Sequence, residues 1–191
     1  MGAILRGLGA RVVDADAIVR RLQTENASII RAIHGHFGPA VVVNGRLDRA
    51  ELARIVFADP SKLSELEALL HPAVGVETAR LINELTDAPL TFVEAIKVVE
   101  GPTGDRLDGL WVVDADSEQQ IARVVAQRGM AESDARARLA AQSPVDAKIA
   151  AFHMRRPGRP MWRIHNVSTM EDLRTAVRSA WTETLRAFGK S

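Results

Sequence analysis

Short apolar runs alternate along this chain with stretches of helical periodicity, the order produced when strands cross over through helices to parallel partners. Arg11-Val12-Val13 reads as a short buried strand ending at Asp14-Ala15-Asp16, and a helix with an Asp as its cap follows to about Thr24. Asn26 caps a second helix whose apolar face holds Ile29, Ile30, Ile33 and Phe37, stopped by Gly38-Pro39. Val41-Val42-Val43-Asn44-Gly45 is a strand or a turn. Asp48 caps the next helix, with Leu52, Ile55 and Val56 inward, and Asp59-Pro60 opens another that runs to Leu70. His71-Pro72 marks a break. The helix after it places Val76, Ala79, Ile82 and Asn83 near one face and ends about Thr86.

The better strand candidates come later. Leu90 to Ile96 and Leu110 to Val113 are apolar, rich in β-branched residues and bounded by turn residues, with the loop Gly101-Pro102-Thr103-Gly104-Asp105 between them. Ser117 to Gln142 reads as helix, break at Gly129, then helix with Ser133 as its cap. Met154 to Arg163 is a basic, proline-containing stretch, Arg163 to Asn166 a last short strand, and Met170 to Phe188 a closing amphipathic helix. No internal repeat is expected.

Composition narrows this to an ordinary globular chain. Its 191 residues, 47% hydrophobic, suit one domain with a real core. Twenty-five basic against 24 acidic residues leave +1, which excludes a global basic field for nucleic acid. With no cysteine, disulfides, thiolate metal sites and Cys nucleophiles are out, and with no tyrosine so is Tyr acid–base chemistry. No apolar run approaches the roughly 20 residues of a membrane helix, and Met1–Val13 is too short and too interrupted by Arg and Gly for a secretory signal. The expectation is a cytoplasmic α/β protein.

Two residues apart on extended backbone, Asp14 and Asp16 point the same way, beyond the carboxyl end of a strand where open α/β sheets bind ligands. Such a carboxylate takes a proton from a hydroxyl nucleophile or holds Mg²⁺; alternatively one or both simply cap the next helix. Arg123, Arg128, Arg136, Arg138 and Gln142 lie on the helical pair 119–142, where planar guanidinium forks suit phosphate oxygens, unless they form only a solvated face. His71-Pro72 reads as a helix start that attracts anions, or as a mere break. Gly189-Lys190-Ser191 mimics the end of a phosphate loop, but Thr184 stands where the first Gly belongs and no helix can follow. The five His lack zinc-enzyme spacing. Arg155, Arg156, Arg159 and Arg163 beside Trp162 give a weak nucleic-acid signal against a solvated loop.

Taken in order, the segments 8–21 (LGARVVDADAIVRR), 36–38 (HFG), 45–57 (GRLDRAELARIVF), 66–72 (LEALLHP), 98–101 (VVEG), 110–113 (LWVV) with Gln120 and Arg123, 136–142 (RARLAAQ) and Asn166 resemble dephospho-CoA kinase, a nucleoside-kinase-like phosphate-loop fold. The resemblance implies an α/β fold with a parallel sheet and flanking helices. A core would take in 1–116 and 163–191, an acceptor-side helical region about 26–86, and a lid about 117–162. It implies transfer of the ATP γ-phosphoryl group to the 3′-hydroxyl of dephospho-CoA with Mg²⁺, ATP and dephospho-CoA being the ligands and neither nucleic acid nor membrane a partner. By the same likeness Asp16 is the catalytic base; Asp14, Arg49, His71 and Glu100 serve the acceptor. Arg123, Arg128, Arg138 and Gln142 belong to the lid, and Asn166 lies on the adenine side. No metal ligand is firm, Asp16 being open as a contact through Mg²⁺.

The family's first strand and Gly-rich loop have no counterpart in these residues, and residues 1–191 alone are expected not to transfer phosphate. The alternative is a non-catalytic module that binds coenzyme A or nucleotide. Phe152-His153 and the basic stretch replace a family segment of Ala-Asp-hydrophobic type, and an Arg expected four residues after Arg123 comes at 128 instead.

Overall fold

The computed structural model describes residues 1–84, 86–140, 142–166 and 169–190, apart from the side chains of Gln127, Arg128 and Arg138. In chain order the elements are α1 (Gly2–Gly7), β1 (Arg11–Asp14), α2 (Ala15–Glu25), α3 (Ala27–Phe37), β2 (Val42–Val43), β3 (Arg46–Leu47), α4 (Arg49–Ala58) and α5 (Pro60–Asn83). Then follow β4 (Thr91–Glu94), β5 (Leu110–Asp114), α6 (Ser117–Arg128), α7 (Glu132–Ala140), α8 (Val145–Arg155), β6 (Met161–His165) and α9 (Met170–Ala187). Mixed α/β architecture is confirmed, its parallel strands forming two separate pairs, β1–β4 and β5–β6. Among the described residues no helix is long and apolar enough to cross a membrane. The chain divides into two compact units.

The first unit comprises Arg11–Asp87 and Thr91–Ile96. Parallel pairing runs from Arg11 opposite Thr91 to Asp14 opposite Glu94. Ile33, Val41, Leu52, Val56, Leu66 and Leu70 form its core. The ambiguous 41–45 segment is a hairpin: β2 and β3 pair antiparallel around Asn44-Gly45, whose φ values of 51° and 75° suit a tight two-residue turn. The break expected at His71-Pro72 is not there, because α5 continues through Pro72 to Asn83. Losing one N–H donor is outweighed by packing on both sides: Leu63, Leu66, Leu69 and Leu70 before the proline and Val74 after it all meet the same core, and Thr78 is buried a turn on.

In the second unit, Met1–Ala10, Ala88–Leu90 and Lys97–Ser191, β5 and β6 pair in parallel from Leu110 opposite Met161 to Asp114 opposite His165. Val99, Leu110, Val112 and fully buried Phe152 make one core cluster. Helix α9 buries Leu173, Val177, Ala180 and Trp181, and Thr169 with Asp172 closes a capping box at its start. The last strand starts at Met161, two residues before the sequence suggests, and α7 starts at Glu132, so Ser133 lies in its first turn rather than at its cap. Trp162 sits half-buried within β6, its ring centroid 6.4 Å from those of Trp111 and Phe188. It serves as a packing residue between these two rings.

Candidate functional site

The two carboxylates of Asp14-Ala15-Asp16 part company. Asp14 is the N-cap of α2: its Oδ1 accepts from the Ala17 N–H at 2.8 Å and its Oδ2 lies 3.6 Å from the Arg20 guanidinium. Asp16, in the first turn of the same helix, is exposed and makes no hydrogen bond or ion pair among the described residues. A carboxylate with uncommitted oxygens at the carboxyl end of a parallel strand can accept a hydroxyl proton or take one position of a Mg²⁺ ion, which uses few protein carboxylates beside substrate phosphates. Among the described residues no group of three or more His, Asp or Glu forms a dedicated metal cage.

Arg49 opens α4 and His71 lies mid-way along α5; both are exposed and uncommitted among the described residues. Because α5 is continuous, His71 is not at a helix start, and the anion-attracting N–H groups assigned to it there are absent. Helix α5 packs against both α2, which carries Asp16, and α4, which carries Arg49. A chain of ion pairs joins α5 to α2 and β1: Arg21 of α2 meets Glu77 of α5, Glu77 binds Arg80 at 2.8 Å, Arg80 reaches Glu84 at 2.5 Å, and Glu84 meets Arg11 of β1. The Arg80 hydrogen bond, then the Arg80 and Arg21 charges, hold Glu77 down to about 2 from 4.5 despite an opposing desolvation. A depressed carboxylate contributes stability that is full above its unfolded value and lost as pH falls through its folded one. The melting temperature of the Glu77→Gln variant should therefore depend less steeply on pH than that of the parent between 4.5 and about 2. Parallel acid limbs in thermal unfolding would show that the pair contributes nothing.

In the second unit the structure brings Arg123 and Asn166 together, an Arg123 Nη1 donating to the Asn166 carbonyl at 3.0 Å. The Asn166 N–H donates in turn to the Asp114 carbonyl at 2.7 Å, so its backbone is held from both sides. Beside it the Asp114 carboxylate, one-tenth exposed, lies 2.7 Å from an Arg163 Nη and 2.8 Å from His165 Nδ1. The Asp114 hydrogen bond keeps Arg163 further into its charged form.

Asp114 and His165, at the carboxyl ends of β5 and β6, were missed by the sequence reading, as was Glu94, which ends β4 opposite Asp14. A signal was present. Val-Val-Asp-Ala-Asp occurs twice, at 12–16 and at 112–116, each time between a strand and a helix, so the expectation of no internal repeat is corrected.

Of the remaining residues, Glu100 is exposed in the loop after β4. Gln142 is exposed, and its backbone N–H closes a turn onto the Leu139 carbonyl. Arg128 and Arg138 lie on α6 and α7, but their side chains are outside what is described. Arg136 is spent internally: it donates twice to Glu118 at 2.8 Å and once to Glu132 at 2.9 Å, tying α7 to α6. The basic stretch is likewise engaged, Arg155 with Asp105, Arg156 and Arg159 with Asp108, Arg163 with Asp114 and Asp146. Residues 156–160 form a largely exposed loop between α8 and β6, in line with the solvated-loop reading, with the arginines of the stretch paired to these carboxylates. Thr184 lies inside α9, so Gly189-Lys190 follows a helix rather than leading into one, and Ser191 lies outside the described residues.

A family described as dephospho-CoA kinase matches residues 1–154. A dephospho-CoA kinase of Symbiobacterium thermophilum is 39% identical over 184 residues, covering 95% of this chain and 74% of the relative. One from Geobacter metallireducens is 37% identical, with 94% and 87% covered. Among solved structures, a Thermus thermophilus protein superposes with a TM-score of 0.70 at 33% identity, over 95% of this chain and 88% of the other. The dephospho-CoA kinase of Campylobacter jejuni, at 0.64 and 21% identity over 97% and 90%, shares the fold.

Proposed function

Because the chain belongs to the dephospho-CoA kinase family, we propose that it serves transfer of the ATP γ-phosphoryl group to the 3′-hydroxyl of dephospho-CoA in the cytoplasm. The observation that carries this is the uncommitted carboxylate of Asp16 beside a capping Asp14. Phosphoryl transfer asks a protein for positioning, charge neutralisation and a proton acceptor rather than covalent chemistry. Asp16 accepts the hydroxyl proton as the 3′-oxygen bonds to phosphorus and the bond to the ADP leaving oxygen breaks.

On the first unit, Arg49 and exposed His71 bind the acceptor, while Asp14 fixes the start of α2 that carries Asp16. On the second unit, Glu100 serves the acceptor and Asn166, held by Arg123 and Asp114, faces the adenine. Arg128, Arg138 and Gln142 belong to the lid, and Arg123 retains guanidinium donors for phosphate beyond the one given to Asn166. Mg²⁺, held through Asp16 and the phosphates, would neutralise charge developing on the transferred group.

Calorimetric titration of residues 1–191 with dephospho-CoA tests the acceptor assignment. Saturable binding that weakens about tenfold in Arg49→Ala is the expected result, tenfold being the loss of one charge-assisted contact. No binding, or binding indifferent to Arg49, would refute it. The internal use of Arg136 favours a binding-only second reading. That reading requires dephospho-CoA binding without ATP binding, and it fails if ATP binds tightly or if the protein expressed from its own reading frame turns over.

A further inference from the structure

The segment between β4 and β5 has no ladder partner of its own and contains the short 3-10 turn Pro102–Arg106. Backbone carbonyls left this way must find donors or water. Four of them find two consecutive side chains at the end of α8. Arg155 donates through Nη1 to the Gly101 carbonyl at 2.8 Å and through Nη2 to the Glu100 carbonyl at 3.3 Å. Arg156 donates through Nε to the Leu107 carbonyl at 2.7 Å and through Nη1 to the Asp105 carbonyl at 3.0 Å. Carboxylates of the same loop add contacts, Asp105 to Arg155 at 3.3 Å and Asp108 to Arg156 at 3.5 Å.

Packing beneath the two guanidinium groups is close. A Cβ on Gly104 would lie 2.7 Å from the Val99 carbonyl oxygen and 3.2 Å from an Arg155 Nη, so that position admits no side chain without displacing backbone. Val99, 2% exposed, anchors the near end of the loop in the cluster that Phe152 centres, three residues before Arg155 on α8. One helix end therefore supplies both the apolar seat of the loop and its polar clasp.

We propose that Arg155 and Arg156 are positioning residues for acceptor binding: their forks set the backbone at 100–107 and thereby aim the Glu100 side chain. This rests on the assignment of Glu100 to the acceptor. Two adjacent arginines suit the task because each guanidinium presents several coplanar donors in a fixed fork, whereas lysine offers a point charge on a flexible stem. It also gives the basic stretch a role that needs no nucleic acid.

Amide hydrogen exchange and calorimetry on residues 1–191 test this in Arg155→Ala, Arg156→Ala and the matching lysine variants. The Gly101 and Gly104 amides, which donate to the Lys97 and Gly101 carbonyls, report on the loop. Each alanine variant should raise their exchange about tenfold while β5 and α9 stay protected, and should weaken dephospho-CoA binding by a similar factor. The lysine variants, which keep the charge but lose the planar fork, should fall between. Should an alanine variant lose the protection of β5 and α9 as well, the matching lysine variant decides in its place, because it keeps the stem and the positive charge while removing the fork.

Unchanged exchange at Gly101 and Gly104 overturns the clasp whatever the ligand does. A loosened loop with undiminished dephospho-CoA affinity overturns the positioning role. If the parent protein itself fails to bind dephospho-CoA, the acceptor assignment falls and takes the positioning role with it, while the exchange data still decide the clasp.

Discussion

Replacing Asp16 by asparagine should lower phosphoryl transfer to dephospho-CoA about 10²–10⁴-fold, the range typical of losing a positioned proton acceptor. The substitution keeps size and shape and removes basicity. Asp16 bonds to nothing among the described residues, so no internal partner is orphaned. The loss of one acidic side chain from the first turn of α2 costs about 0.3–1 kcal/mol of helix stabilisation, too little to unfold a domain. Dephospho-CoA affinity should stay within about threefold, because a group acting in the transition state leaves ground-state binding nearly intact.

Asp14 supplies the control. Asparagine caps as well as aspartate, so Asp14→Asn should be nearly silent in stability, while Asp14→Ala should cost about 1 kcal/mol. Steady-state rates and thermal unfolding of the variants, made in the protein expressed from its own reading frame, separate the two residues. Equal loss of turnover in Asp14→Asn and Asp16→Asn, or normal turnover in Asp16→Asn, would remove Asp16 from the reaction.

Phe152→Ala should destabilise the second unit by about 3–5 kcal/mol, the usual cost of emptying a fully buried aromatic site. The residue is 0% exposed and packs with Val99, Leu110 and Val112, surrounded by half-buried Leu107, Ile149 and Met161. Strands at the centre of a cluster cannot close over the lost volume without moving Val99 and Leu107, the two residues that hold the Glu100 loop from below. Urea unfolding should show a lower midpoint with an unchanged slope. A loss below about 1 kcal/mol would mean that the site collapses freely and that the cluster is not the framework of the loop. Phe152→Leu, which keeps most of the volume, should recover more than half of the loss.

Much of the architecture was legible because its signals are local. Asn26, Asp48 and Asp59 cap α3, α4 and α5 as their side chains predict, each accepting from backbone N–H groups within three residues. Gly129 ends α6 in the left-handed conformation that glycine permits. The apolar runs at 90–96 and 110–113 hold strands, the first shorter than the run at Thr91–Glu94 and the second at Leu110–Asp114. Pro72 defeated the same logic, since a local rule against proline yielded to the core on which α5 rests along its length. Phe152 and the arginines after it looked like departures from a family pattern; in the structure they are core and clasp. Their partners lie about fifty residues away in sequence, beyond any periodicity.

The repeated Val-Val-Asp-Ala-Asp shows where the sequence stops deciding. In both places the pentapeptide determines a strand end and a capped helix after it, because Val prefers strands and Asp accepts orphan N–H groups. It does not say which Asp caps. At 12–16 the neighbouring strand sets Glu94 opposite Asp14, an acid facing an acid, so Asp14 turns onto its own helix and Asp16 is left open. At 112–116 the neighbouring strand brings Arg163, whose guanidinium holds the Asp114 carboxylate, and the helix is capped two residues on by Asp116. Identical residues thus part because a positive charge on a strand distant in sequence outcompetes a local hydrogen bond in one copy, while the other copy meets an acid.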